Sequence, residues 1–164
     1  MQTDFLDELE ELALGTRLKR LSELMLADAA RVYQHFEIDV QPKWFSLLAL
    51  LHHKEQVSVV EAADLLGLSQ PAISQFSRQL QKRGLIQSRC CEQDSRRKLL
   101  TLSDKGRQQV NAMQPMWDAV SQAAKQLSQE LDNNLYQAIQ KCEKALKHKS
   151  LLARTLDIHH ATQS

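Results

Sequence analysis

Between Leu14 and Phe36 the apolar residues Leu14, Leu18, Leu21, Met25, Val32 and Phe36 return at steps of three, four and seven. That is the spacing of one face of a helix, and residues 4–36 are predicted as one long helix. Thr3 can cap it, and the early Asp and Glu residues suit the positive end of the helix dipole, while Gly15 weakens it locally. The stretch EIDVQP breaks the pattern, and Pro42 opens a second helix, WFSLLALLHH, that is apolar almost all round. A helix of that kind belongs in an interior.

Ser58-Val59-Val60-Glu61 reads as a capping box, with Ser58 capping the first turn and Glu61 reaching back. The short helix that follows ends at Gly67; Ser69 caps the next at once, and Pro71 falls in its first turn, where a missing N–H does no harm. Two short helices across a tight, glycine-containing turn form a helix-turn-helix. Gly84 ends the second helix, and the period then changes: LIQSRC and KLLTL read as strands flanking the polar tip CEQDSRR. Ser103 caps another long helix with a seam of Val110, Met113, Trp117, Val120, Ala124 and Leu127, in which Pro115 predicts a kink or a tolerated break. Ser128 restarts a last helix through Leu131, Leu135, Ile139, Cys142 and Leu146, with Cys142 expected in the core; the tail after Leu152 has no pattern. The expected fold is mainly α with a small β-hairpin.

Composition adds limits. The 164 residues make about one domain. No apolar run is long enough to span a bilayer, the acidic N-terminus is unlike a signal peptide, and three cysteines make no disulfide framework. The expectation is a cytoplasmic protein with reduced thiols. Net charge is only +1, but its distribution is uneven. Residues 1–68 hold six Lys/Arg against twelve Asp/Glu, residues 69–107 nine against three, and residues 108–164 six against five. A cationic block inside a near-neutral chain suits a polyanion; a solvated surface is the alternative.

The block contains a helix with two unlike faces. Ile73, Phe76 and Leu80 fall on one side, and Pro71, Ser74, Gln75, Arg78 and Lys82 on the other. Ser, Gln and Arg can hydrogen-bond base edges, and a helix fits the major groove. Ser69, Gln70, Pro71, Ser74, Gln75 and Arg78 are therefore the candidate major-groove set. Lys82, Arg83, Arg96, Arg97 and Lys98 are the candidate phosphate and wing contacts, with an Asp94–Arg96 salt bridge orienting the wing arginine.

The run SVVEAADLLGLSQPAISQFSRQLQKRGLI, followed by Asp94 and Arg96 and then by LTLSDKG, resembles the MarR family of bacterial transcription regulators. The matching positions are Leu68, Ser69, Ile73 and Ser74; Lys82 to Leu85; Asp94 and Arg96; and Leu102, Ser103 and Gly106, with residues 40–110 matching closely. Where the family often has Arg in the first wing strand, this chain has Ser88, and the nearby arginine is Arg89. The resemblance implies a winged helix-turn-helix lobe over about residues 40–106, flanked by dimerisation helices at about 4–36 and 107–150, in a single domain over residues 1–164. It also implies a homodimer on double-stranded, pseudo-palindromic operator DNA, most often as a repressor, released in some members by a small aromatic effector. The apolar seams at both chain ends, hard to bury within one small subunit, agree with a homodimer.

Other residues leave alternatives open. Cys90 and Cys91 in the wing are redox candidates, with Arg89 able to lower a thiol pKa, or else packing residues. His35, Phe36 and Trp44 are candidate lining for an effector pocket, or else core. His52–His53 and His159–His160 lack the spacing of a metal site, so no metal and no cofactor is expected. No catalytic motif stands out, and an enzyme is not expected. The rival from another class is a winged helix used for protein–protein assembly, which requires an apolar outward face on residues 70–82.

Overall fold

A computed structural model of the chain describes residues 4–90, 98–131 and 134–162. It forms two compact units, residues 1–114 and 115–164.

The predicted long N-terminal helix is broken. A short helix α1 (Phe5–Glu8) leads through a 3-10 turn (Glu10–Ala13) into α2 (Leu14–His35). The break lies at Glu10, which has a left-handed φ of 46°. Ion pairs hold the reversal: Asp4 with Arg20 at 2.6 Å, and Asp7 with Arg17. These pairs join residues too far apart in sequence to meet along a straight helix, which periodicity alone cannot reveal. α1 is capped by Asp4, whose carboxylate accepts the Leu6 N–H. α2 ends where the sequence predicts: Glu37 takes a left-handed φ of 54°, and the Ile38 N–H reaches back to the Tyr33 carbonyl.

Pro42–Trp44 form a 3-10 turn that opens α3 (Phe45–Lys54), whose Leu47, Leu48 and Leu51 are buried. A short strand β1 (Gln56–Ser58), unforeseen in the sequence, precedes α4 (Val59–Leu66). Ser58 accepts the Glu61 N–H at 3.1 Å, as half a capping box would. Glu61 pairs with Lys54 at 3.4 Å. Gly67 closes α4 at φ 64°, with Leu68 N–H bonded to the Ala63 carbonyl, and Ser69 caps α5 (Gln70–Lys82) through the Ala72 N–H. Strands β2 (Ile86–Cys90) and β3 (Lys98–Leu102) pair antiparallel, and β1 joins the other edge of β3, giving the order β1-β3-β2. Three-residue β1 is too short for a period-2 signal; its partner, β3, lies more than forty residues away.

α6 (Asp104–Gln129) continues through Pro115, so the proline is tolerated. In the first unit, Val110 and Met113 of α6 are fully buried with Leu47, Ile73, Leu80 and Leu100. In the second unit, α7 (Leu135–His148) is capped by Asn134. The patternless tail forms an eighth helix, α8 (Leu151–Thr162), whose first turn is closed by Ser150 accepting the Ala153 N–H. Cys142 is exposed within the chain, contrary to its expected core position. No helix among the described residues is long and apolar enough to cross a membrane.

Candidate nucleic-acid interface

The two faces of α5 separate as their residue types require. Ile73, Ser77 and Leu80 are buried, and the Ser77 hydroxyl donates to the Ile73 carbonyl at 2.7 Å, which satisfies it without an outside partner. Ser69, Gln70, Pro71, Gln75, Arg78 and Lys82 are exposed, and Ser74 is half-buried. Residues 65–91 contain no Asp or Glu, so nothing anionic on this stretch opposes an approaching phosphate. None of the large exposed apolar side chains among the described residues lies on α5.

The helix is held at both ends. At its start, α4 and the Gly67 turn fix its entry. At its end, Gly84 (φ 71°) turns the chain into β2, with the Leu85 N–H bonded to the Leu80 carbonyl. The start of α6 then grips that turn. Ser103 donates its hydroxyl to the Gly84 carbonyl at 2.6 Å and its N–H to the Leu85 carbonyl at 3.0 Å, and accepts the Gly106 N–H at 2.9 Å. Gly106 lets the α6 backbone come close: a Cβ there would lie 1.9 Å from the Leu85 oxygen. The Leu102–Ser103–Gly106 spacing thus has a physical role. It locks the end of α5, the start of β2 and the first turn of α6 together.

The remaining sequence candidates separate into distinct groups. Lys98 is exposed at the start of β3, where it pairs with Cys90 across the hairpin. Cys91, Asp94, Arg96 and Arg97 lie outside the described residues, so the wing salt bridge and the wing-tip contacts remain proposals from sequence. Arg83 is engaged by the protein itself: its Nη1 donates to both the backbone carbonyl and the carboxylate of Asp39 at 2.9 Å, and its guanidinium lies 5.2 Å from the Trp44 ring centre. His35 and Phe36 meet edge to face at 5.3 Å, but Trp44 is buried, and its indole N–H donates to Gln79 of α5 at 3.0 Å. Trp44 is part of the core, whereas His35 and Phe36 are exposed. Asp39, Gln79 and Lys105, the last donating to the Arg83 carbonyl at 3.0 Å, escaped the sequence analysis because nothing local distinguishes them from solvated polar residues. Among the described residues no three metal-ligating side chains cluster.

A helix-turn-helix followed by a two-stranded wing, with a third strand closing the sheet, decides the class. Residues 41–98 match the MarR family. Solved structures share the fold across nearly their whole length. The S. aureus MepR–DNA complex superposes with a TM-score of 0.66 at 22% identity, covering 85% of this chain and 97% of that one. BldR, a transcriptional regulator from Sulfolobus solfataricus, gives 0.63 at 20% identity, covering 90% and 99%. BpsR of Bordetella bronchiseptica, whose DNA binding is regulated by 6-hydroxynicotinic acid, gives 0.62 at 20% identity, covering 82% and 98%. The MarR winged helix is therefore the fold of this chain, and its matched segment spans the whole of α3 to β2.

Proposed function

We propose that this MarR-type protein is a sequence-specific, DNA-binding transcription regulator that binds a pseudo-palindromic operator as a homodimer, most often to repress. The single observation that carries the reading is the α5 face: polar, cationic, free of carboxylates and exposed, on a helix whose other face is buried. Gln75 and Arg78 are placed to read base edges, with Ser69, Gln70, Pro71 and Ser74 at the capped N-terminal end, where free N–H groups suit a backbone phosphate. Lys82 and Lys98, with Arg96 and Arg97 of the wing tip, supply phosphate contacts.

Apolar side chains exposed within the chain support a homodimer. Leu14, Leu18, Leu21, Leu24 and Met25 line α2, while Leu151, Leu152, Leu156 and Ile158 lie on α8. A monomer rarely exposes so much apolar surface on single helices. The protein-assembly alternative is disfavoured by the absence of large exposed apolar residues on α5 among the described residues. In this reading the chain binds rather than catalyses, works in the cytoplasm where the chromosome is, and answers to a small aromatic effector, as BpsR answers to 6-hydroxynicotinic acid.

Selection of binding sites from random duplex DNA at two salt concentrations tests the proposal. The expected product is a pseudo-palindrome with half-sites about one helical turn apart, bound more weakly at higher salt. A pool without enrichment, or affinity indifferent to salt, overturns it.

A further inference from the structure

Within the cationic block, Arg83 is engaged by several of the protein's own groups. Arg83 caps the C-terminal end of α5, its N–H donating to the Gln79 carbonyl at 3.3 Å. Its Nη1 donates to both the carbonyl and the carboxylate of Asp39, and the guanidinium lies over the Trp44 ring. Its own carbonyl accepts Lys105 Nζ of α6 at 3.0 Å. Trp44 in turn donates to Gln79, one turn before Arg83. Asp39 sits on the loop after α2, which is tied back by the Ile38-to-Tyr33 hydrogen bond. One residue therefore joins the end of the recognition helix, the loop that leaves α2 and the first turn of α6.

We infer that Arg83 is a positioning residue and not a phosphate contact: together with Asp39 and Trp44 it sets the pose of α5 relative to the end of α2. This rests on the DNA-binding reading above. The chemistry favours it. A planar guanidinium can hold Asp39 through one nitrogen while its face covers an aromatic ring; a tetrahedral ammonium can donate to Asp39 but cannot also lie flat over the ring. A phosphate contact needs only a positive charge within reach, which Lys also supplies. Asp39 beside Arg83 would also oppose a phosphate there.

The two roles predict different, and in one case opposite, results. For positioning, Arg83→Lys lowers affinity for the selected operator about as much as Arg83→Ala, roughly three- to tenfold, because both lose the planar group that bonds Asp39 and covers the Trp44 ring at once. Asp39→Ala then lowers affinity about two- to threefold and leaves the slope of log K against log salt unchanged. The double variant Asp39→Ala/Arg83→Ala is no worse than Arg83→Ala alone. For a phosphate contact, Arg83→Lys binds like the parent, and Asp39→Ala binds more tightly with a slope steeper by about one, since a masked cation is freed.

Operator and scrambled duplexes of equal length are titrated with each purified full-length variant at several salt concentrations. Amide exchange of residues 79–85 is measured on the DNA-free protein. Faster exchange at Arg83, Gly84 and Leu85 in Arg83→Lys and Asp39→Ala, with thermal midpoints within a few degrees of the parent, accompanies the positioning role. Unchanged exchange, or tighter binding by Asp39→Ala, overturns the inference. A parent protein that binds no duplex defeats the DNA-binding reading instead, and the exchange measurement still judges the positioning of α5.

Discussion

Replacing Gly106 by alanine adds one methyl group at the point where α6 meets the turn after α5. That methyl would lie 1.9 Å from the Leu85 oxygen and 2.9 Å from its carbonyl carbon, both backbone atoms that no rotamer change can move. The α6 backbone must retreat by more than an ångström to reach ordinary contact. Retreat stretches the two hydrogen bonds from Ser103 to the Gly84 and Leu85 carbonyls. Overpacking of this kind costs about 1–3 kcal/mol, and each weakened hydrogen bond about 0.5–1.5 kcal/mol. Alanine's better helix propensity returns up to about 1 kcal/mol. The net loss is roughly 1–6 kcal/mol, a fall in Tm of about 2–24 °C for a chain of this length. Gly15 supplies the opposite sign in the same protein. It lies in the first turn of α2 with nothing within 4 Å of its would-be Cβ, so Gly15→Ala should gain up to about 1 kcal/mol. Thermal unfolding followed by circular dichroism, at matched protein concentrations because association shifts Tm, compares the two variants with the parent. A Gly106→Ala protein as stable as its parent would refute the close-approach argument.

Four other predictions address the interface, the oligomer and the N-terminal reversal. Gln75→Ala and Arg78→Ala should each cost about 1–3 kcal/mol on the selected operator and relax preference at one base position; equal weakening on scrambled duplex would remove these residues from base reading. Lys98→Ala should weaken operator and scrambled DNA alike and reduce the salt slope by about one, and an unchanged slope would remove the phosphate contact. Leu21→Glu, which places a charge on the exposed apolar face of α2, should shift the protein toward monomer by roughly tenfold or more, from the loss of about 1.5–3 kcal/mol per buried leucine; sedimentation equilibrium reads the change. The Asp4 carboxyl is held below its ordinary value of 3.8, chiefly by the hydrogen bond from Arg20 and then by the Leu6 N–H. Because its folded value is lowered, this contribution is present above pH 3.8 and disappears as pH falls through the lower folded value. Arg20→Gln should raise the Asp4 titration midpoint in an NMR pH series, and an unmoved midpoint would mean that the pair does not hold the reversal.

Much of the lobe was legible from residue order because its signals are local. The Ser58 and Ser69 caps, the Gly67 and Gly84 turns, the apolar stripe of Ile73 and Leu80, and the switch to strand pattern after Gly84 each depend on a few neighbouring residues. Capping, left-handed turns and helical period are short-range physics, so the chain states them itself. The uneven charge is equally local, and together with the two unlike faces of α5 it points to a polyanion-binding surface. What needed the tertiary structure was every pairing between distant residues: Asp4 with Arg20, which turns a straight helix into a reversal; β1 with β3; Trp44 with Gln79; Arg83 with Asp39; and the bare Gly106 against the Leu85 carbonyl. Each of those residues has an unremarkable neighbourhood in sequence, and its role arises only when folding brings its partner within a few ångströms. Local order along the chain named the elements, whereas contacts across it decided that Arg83 is tied to Asp39 and Trp44.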